Sequence, residues 1–372
     1  MSNAILQGKP YEESSHLRFD AGALRNGALL VAAAFFAGSS FGEGSSVVSP
    51  YATGGEVTVT DLGNFKTRYI HVFTNTDEVA TFRNIGKKPL SIRYLVVGGG
   101  GSGGYASNGN GGSNIPTGGG GGGGGVYEEK DVPFTAGAEW SILVGKGAEP
   151  VVSQAKPGTT AGASSISNGT DSIVVVPGGG NGTRPSTNKK NVVDPTAGAA
   201  GGGYSTYAAG DAGGKGVFKS SIFGVIPEGA PFDGGGKGSK SYTGAGGGGA
   251  GSAGLASTNQ RAGDGGDGLG SDITGEALVY GSGGGGGANL YFGVVGGLGG
   301  TRAGNGATYE ITDGGAATNF FAATMPVANS GCGGAGGMQD GKCNAATAGA
   351  DGVVIIRYDY VENPQGLILI FR

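Results

Sequence analysis

Few side chains in this sequence are of a type that does chemistry, and their spacing narrows what that chemistry could be. The histidines are His16 and His71, the thiols are Cys332 and Cys343, and a run of carboxylates set among glycines is Asp264, Asp267 and Asp272. A hydroxyl or thiol nucleophile needs a base beside it, and both histidines lie ahead of the glycine-rich part of the chain. Structural zinc takes four nitrogen or sulfur ligands, which two cysteines with two remote histidines do not supply. Ala262 to Ile273 (AGDGGDGLGSDI) is similar to calcium-binding nonapeptide repeats, in which glycines turn the chain and aspartates hold the ion. Here Gly270 replaces a required aspartate and no tandem copies follow.

Phosphate motifs fail for related reasons. At this glycine content G-x-G-x-x-G recurs by chance, and no copy sits between a strand and a helix with a distal acidic residue. In the glycine-rich part Gly-Lys pairs are followed by Gly147, Gly216, Gly238 or Cys343 where a Walker A loop needs Ser or Thr, and Gly86-Lys87-Lys88 fails as well. The expectation is a chain without catalytic residues, cofactor or metal. His71, alternating with Ile70 and Val72, reads as a structural histidine on a strand. Cys332 and Cys343, eleven apart, read either as a disulfide closing a glycine-rich loop or as two thiols.

The remaining chemistry is recognition. Tyr204, Tyr207, Tyr242, Tyr291, Phe292, Phe320 and Phe321 lie beside glycine tracts among Ser, Thr and Asn. Aromatics set among small polar residues make contact surfaces of low entropic cost. Two roles stand for them: contacts to a receptor, or caps on whatever the glycines build.

The elements that must position these residues are dominated by glycine, 88 of 372 residues, against a usual share of roughly 7%. Collagen is excluded, because its glycines fall at every third position with abundant proline, whereas Gly118 to Gly125 are consecutive. Disorder is opposed by a hydrophobic content of 37% with 15 Phe and 14 Tyr, enough for a core. A net charge of −4 with 14% charged residues provides no field to collect nucleic acid.

Alternation of period two marks Glu56 to Asp61, Arg68 to Thr74, Glu78 to Arg83 and Pro89 to Val97 as strands of a small antiparallel β unit. Further strand-like blocks are Gly125 to Val132, Glu139 to Gly145, Ser172 to Val176 and Gly352 to Tyr360. Asn181 to Pro195, Tyr204 to Asp211, Ser239 to Thr243, Ala253 to Arg261 and Thr318 to Ser330 read as polar, irregular inserts. Ordering glycine is entropically expensive, so the tracts need dense contacts. Polyglycine in the extended three-fold helix supplies them, since without Cβ such helices approach closely enough for main-chain hydrogen bonds between them. Flexible linkage between β pieces is the competing reading.

The expected fold is mainly β with stacked polyglycine type II helices, a small antiparallel β unit followed by a glycine-rich sandwich. The expected division is an attachment segment at 1–53, the β unit at 54–97, the polyglycine-helix domain with variable loops at 98–352, and closing strands at 353–372. Within the first segment, residues 21–42 carry an apolar block (Ala28 to Ala37) that reads as a docking helix or as a signal peptide, and less well as a membrane anchor. The apolar end, Leu367 to Phe371, is expected to pack on the β unit or on another subunit.

Tyr94 to Gly104 (YLVVGGGGSGG), Gly118 to Val126, Ile142 to Gly147 (ILVGKG) and Asp351 to Tyr358 (DGVVIIRY) resemble the glycine-rich domain of phage tail-fibre proteins and some secreted bacterial proteins. The resemblance covers roughly Gly54 to Tyr360. It is similar in its logic to the long-tail-fibre adhesins of T-even-type phages, although residues 1–53 carry no match to their attachment domain. The resemblance implies a virion surface protein that binds a host outer-membrane protein or surface glycan through loops on a rigid core. The partners it implies are other virion or fibre subunits, or further copies of the chain as a homo-oligomer. The alternative is a secreted bacterial surface or matrix protein in which the glycine core is structural only.

Overall fold

A computed structural model describes residues 49–106, 117–150, 159–183, 196–204, 212–236, 243–258, 260–290, 293–311, 317–338 and 343–362. The 21–42 segment and Leu367 to Phe371 lie outside these residues. The described residues belong to one compact unit.

The described residues form strands and irregular chain, with no α-helix among them. Strands β1 (Ala52–Thr53), β4 (Ala80–Asn84), β7 (Glu139–Leu143), β8 (Ser164–Ser167) and β9 (Ser172–Val176) make one sheet in that spatial order. A second sheet has the order β10 (Ser221–Ile222), β6 (Val126–Phe134), β5 (Leu90–Val97), β15 (Val353–Val361), β3 (Lys66–Phe73) and β2 (Glu56–Asp61). Two hairpins, β11 (Leu269–Ser271) with β12 (Leu278–Tyr280) and β13 (Thr308–Ile311) with β14 (Ala317–Phe321), complete the set.

Alternation along the strands sorts their side chains between two cores. One face of the six-stranded sheet presents Tyr69, Phe73, Ile92, Tyr94, Val96, Val354, Ile356 and Tyr358. These join Phe82, Trp140, Ile142, Ile166 and Val176 of the five-stranded sheet in a single buried cluster. Its centre is aromatic: Phe134 lies 5.0 Å from Phe82 and 4.7 Å from Trp140 between ring centroids. The opposite face presents Ile70, Leu95, Val97, Val126, Val353 and Ile355, which are covered by Ala250, Ile273 and Tyr280.

This topology corrects the expected β unit at 54–97. Its strands are divided between the two sheets, because β4 pairs with β7 while β5 pairs with β6 and β15. The chain's last described strand, β15, is inserted between β3 and β5, so the first sheet strands are completed by residues nearly 300 positions later. The expectation of irregular polar inserts is corrected in one place, since Ala317–Phe321 is a strand. His71 follows its expectation. It is fully buried, with Nδ1 donating to the Gly54 carbonyl at 2.7 Å and Nε2 accepting from the Tyr358 hydroxyl at 3.4 Å.

The glycine tracts belong to neither sheet, and their main chains bond to one another in a regular order. The N–H groups of Gly118, Gly121 and Gly124 donate to the carbonyls of Gly337, Gly334 and Gly331. Those of Gly119, Gly122 and Gly125 donate to Thr183, Gly180 and Pro177, and those of Gly120 and Gly123 to Ala245 and Gly248. The carbonyls repeat the pattern. Gly119, Gly122 and Gly125 accept from Gly104, Gly101 and Gly98; Gly118 and Gly121 from Gly287 and Gly284; Gly120 and Gly123 from Gly203 and Ala200.

Partners therefore change at each residue and return at every third, and six segments surround the central one. Partner numbers fall as the central number rises, so the neighbours run antiparallel to it, except the segment from Ala245 to Gly248, which runs parallel. A β-carbon on Gly119, Gly120, Gly121, Gly122, Gly123 or Gly124 would stand 1.9 to 2.2 Å from a carbonyl oxygen of a neighbouring segment. Only glycine permits that approach, and burial of the main chain then demands that each N–H and C=O find a partner.

Candidate functional site

The bonding pattern fixes which ends of the tracts meet. Gly98 follows β5, Gly125 precedes β6 and Pro177 follows β9, and these three are joined by the Gly98 N–H to Gly125 and Gly125 N–H to Pro177 bonds, both 3.0 Å. That is the end attached to the sheets. At the other end Gly104 bonds to Gly119, Gly118 to Gly337, Ala106 to Asn344 and Met338 to Cys343. Thr117 Oγ1 donates to the Gly287 carbonyl and Thr183 Oγ1 to the Gly203 carbonyl, each at 3.0 Å. Of the points where the chain leaves or re-enters the described residues, Ala106, Thr117, Thr183, Tyr204, Thr243, Met338 and Cys343 lie at this far end. Small hydroxyl residues suit the place, since they satisfy the last main-chain groups where a tract stops.

The predicted contact residues divide on this map. Tyr204 is buried, with its N–H donating to Gly235 at 3.0 Å and its carbonyl accepting from Ala245 at 2.8 Å. Phe320 is half-buried, 6.4 Å from Tyr309 between centroids, within a small cluster that includes Ala288, Ala307 and Met338. Phe321, next along β14, is 46% exposed and is the predicted aromatic left facing solvent. Tyr207, Tyr242, Tyr291 and Phe292 lie outside the described residues. Cys332 and Cys343 are thiols, not bonded to each other. Cys332 is enclosed beside Ser282 and Ser330, and burial raises its pKa, while Cys343 packs against the Met338 cluster.

The carboxylate run also separates. Asp264 accepts from the Leu298 N–H at 2.7 Å and pairs with Arg261, whereas Asp272 pairs with Arg93 across the sheet. No group of three or more metal-ligating side chains occurs among the described residues.

A family model described as a glycine-rich domain matches residues 76–359. The chain belongs to that glycine-rich domain family. The match starts after β3 and ends in β15, so it takes in both sheets' central strands and the whole of the glycine stack. No curated protein matches the chain.

One polar feature of this glycine-rich domain was missed by sequence reasoning. The outer face of the six-stranded sheet changes from apolar to charged along its strands: Leu95 and Val97 are followed on that face by Arg93, Ile355 and Val353 by Arg357, and Ile70 by Arg68. Arg93 reaches the buried Glu128 through Nε and Asp272 Oδ1 through Nη2 at 2.6 Å. Arg68 holds both oxygens of Asp359, at 2.8 and 3.0 Å, and Lys66 reaches the same carboxylate at 3.1 Å. Arg357, opposite Arg93 in the register, donates among the described residues to the main-chain carbonyls of Asp272 and Ile273, at 3.3 and 3.4 Å. The signal was present in the alternation, since each of three strands carries an arginine in phase with its apolar residues, but only the pairing sets them side by side.

Proposed function

We propose that the glycine tracts are three-fold polyglycine type II helices packed as a stack, and that the two sheets form a sandwich serving as its base. The three-residue return of partners and the six segments around Gly118 to Gly125 support this reading. A helix of that type has three equivalent faces, each able to donate to one neighbour and accept from another, at about 3.1 Å rise per residue. Eight residues then extend about 25 Å. The joint cluster of the two sheets supports the sandwich.

On that basis the chain is a non-enzymatic adhesin or tail-fibre component at a virion surface. It assembles with other fibre subunits and binds a host outer-membrane protein or surface glycan. The single observation carrying the proposal is that described residues flanking several of the inserts, among them Ala106, Tyr204, Thr243 and Met338, share one end of the stack, away from the sheets. A rigid core whose inserts depart together at one end is what receptor display requires, because preorganisation lowers the entropic cost of binding.

The test exchanges residues 205–211 and 237–242 for those of another glycine-rich chain while keeping the buried Tyr204 and the stack residue Thr243. Changed adsorption to host cells with unchanged melting supports the proposal. Unchanged adsorption in a folded variant overturns it in favour of a secreted surface or matrix protein with a purely structural core.

A further inference from the structure

The charged half of the outer sheet face borders an open groove of about 430 Å³, lined by Arg93, Lys130, Asp131, Phe223, Asp272, Arg357 and Asp359 among others. Its ion pairs are unevenly distributed. Arg93 has Glu128 and Asp272, and Arg68 has Asp359, but among the described residues no carboxylate lies within 4 Å of the Arg357 guanidinium. Half-buried between two other arginines, Arg357 has its charge disfavoured, first by desolvation and then by Arg68 and Arg93. Asp359 and Asp272 offset part of this from a distance, and an anion entering the groove adds a direct counter-charge against the two arginines.

The wall opposite is built around Phe223. Its backbone is left-handed, with φ of +51°, an unfavourable conformation for a bulky residue. Its N–H donates to the Glu128 carbonyl at 2.9 Å, which holds the turn after β10 against β6. The ring is 38% exposed and lies 4.9 Å from the Arg93 guanidinium and 4.8 Å from the Lys130 ammonium. Strain is thus retained to keep an aromatic surface at the groove.

We propose that this groove binds a saccharide unit carrying one carboxylate, with Arg357 pairing the carboxylate, Phe223 against the apolar face of the ring, and Asp131 and Asp359 accepting hydroxyl hydrogens. The acidic residues discriminate between anions. A dianionic phosphate would meet Asp131, Asp272 and Asp359 in the same space, whereas a hydroxyl-rich monoanion uses carboxylates as acceptors and needs only one fork-shaped donor. The groove lies on the sheet, apart from the far end of the stack, so its occupancy is measured independently of host adsorption.

The experiment titrates the full chain with oligogalacturonate, with neutral galactose and inorganic phosphate as parallel arms, read by calorimetry. Saturable binding of oligogalacturonate alone is expected, weakened about tenfold or more in Arg357→Gln, the loss of one charge-assisted pair. Phe223→Ala is expected to weaken binding severalfold as well, and decides the matter if Arg357→Gln does not fold. No saturable binding, binding unaffected by either variant, or equal binding of phosphate overturns the proposal.

Discussion

A β-carbon on Gly121 would stand 2.2 Å from the carbonyl oxygen of Gly101. No side chain in that contact can rotate away, because both partners are main chain, and each is bonded to further segments. Gly121→Ala is therefore expected to destabilise the fold by roughly 3 kcal/mol or more, as overpacking against an immovable neighbour does. Gly270→Ala is the control, since nothing lies within 4 Å of its added methyl. Equal melting temperatures for the two variants would overturn the close-packed description.

The amides of Gly119 to Gly124 all donate to carbonyls of distant segments. Their hydrogen exchange is expected to require global opening and so to report the full unfolding free energy. Exchange within seconds at neutral pH, with the sheets still protected, would mean that the tracts are linkers.

Burial lowers the pKa of His71 in the folded state, so the imidazole stays neutral there while the unfolded chain takes up a proton near pH 6.5. The unfolded state then binds more protons, and stability is expected to fall as pH drops below about 6.5 while remaining level above it. Denaturant melts of wild type and His71→Gln between pH 5 and 8, values on the order of the usual histidine range, check this. The variant is expected to lose that slope, and a slope unchanged in the variant would assign it elsewhere.

Asp359 titrates in the opposite sense. Hydrogen bonding from Arg68, together with Lys66, depresses its pKa from 3.8 to about 2. Its contribution is complete above the unfolded value of 3.8 and is lost as pH falls towards 2. Asp359→Asn is expected to be less stable than wild type at pH 7 and to approach it at low pH, as measured by thermal melting. A constant difference across that range would show that the pair contributes no charge-dependent stability.

The sequence by itself determined the longer strands and the need for close main-chain packing, but not the short strands such as β8, β11 and β13. Glu56 to Asp61 and Ser172 to Val176 occupy the spans read from the sequence, because runs of β-branched residues bounded by turn formers favour extended chain. Eight consecutive glycines likewise exclude any packing that relies on side chains. Tertiary structure alone decided which main chains meet. Gly121 bonds to Gly334 and Gly284, and β15 enters between β3 and β5, through contacts that leave no local mark in the chain. Tyr204 and Phe321 carry the same expectation in sequence, yet one is buried and the other faces solvent. Among the described residues, the carboxylates nearest Arg357 pair instead with Arg68 and Arg93. Periodicity is a property of one segment, whereas a main-chain partner or a spare charge is a property of several segments brought together.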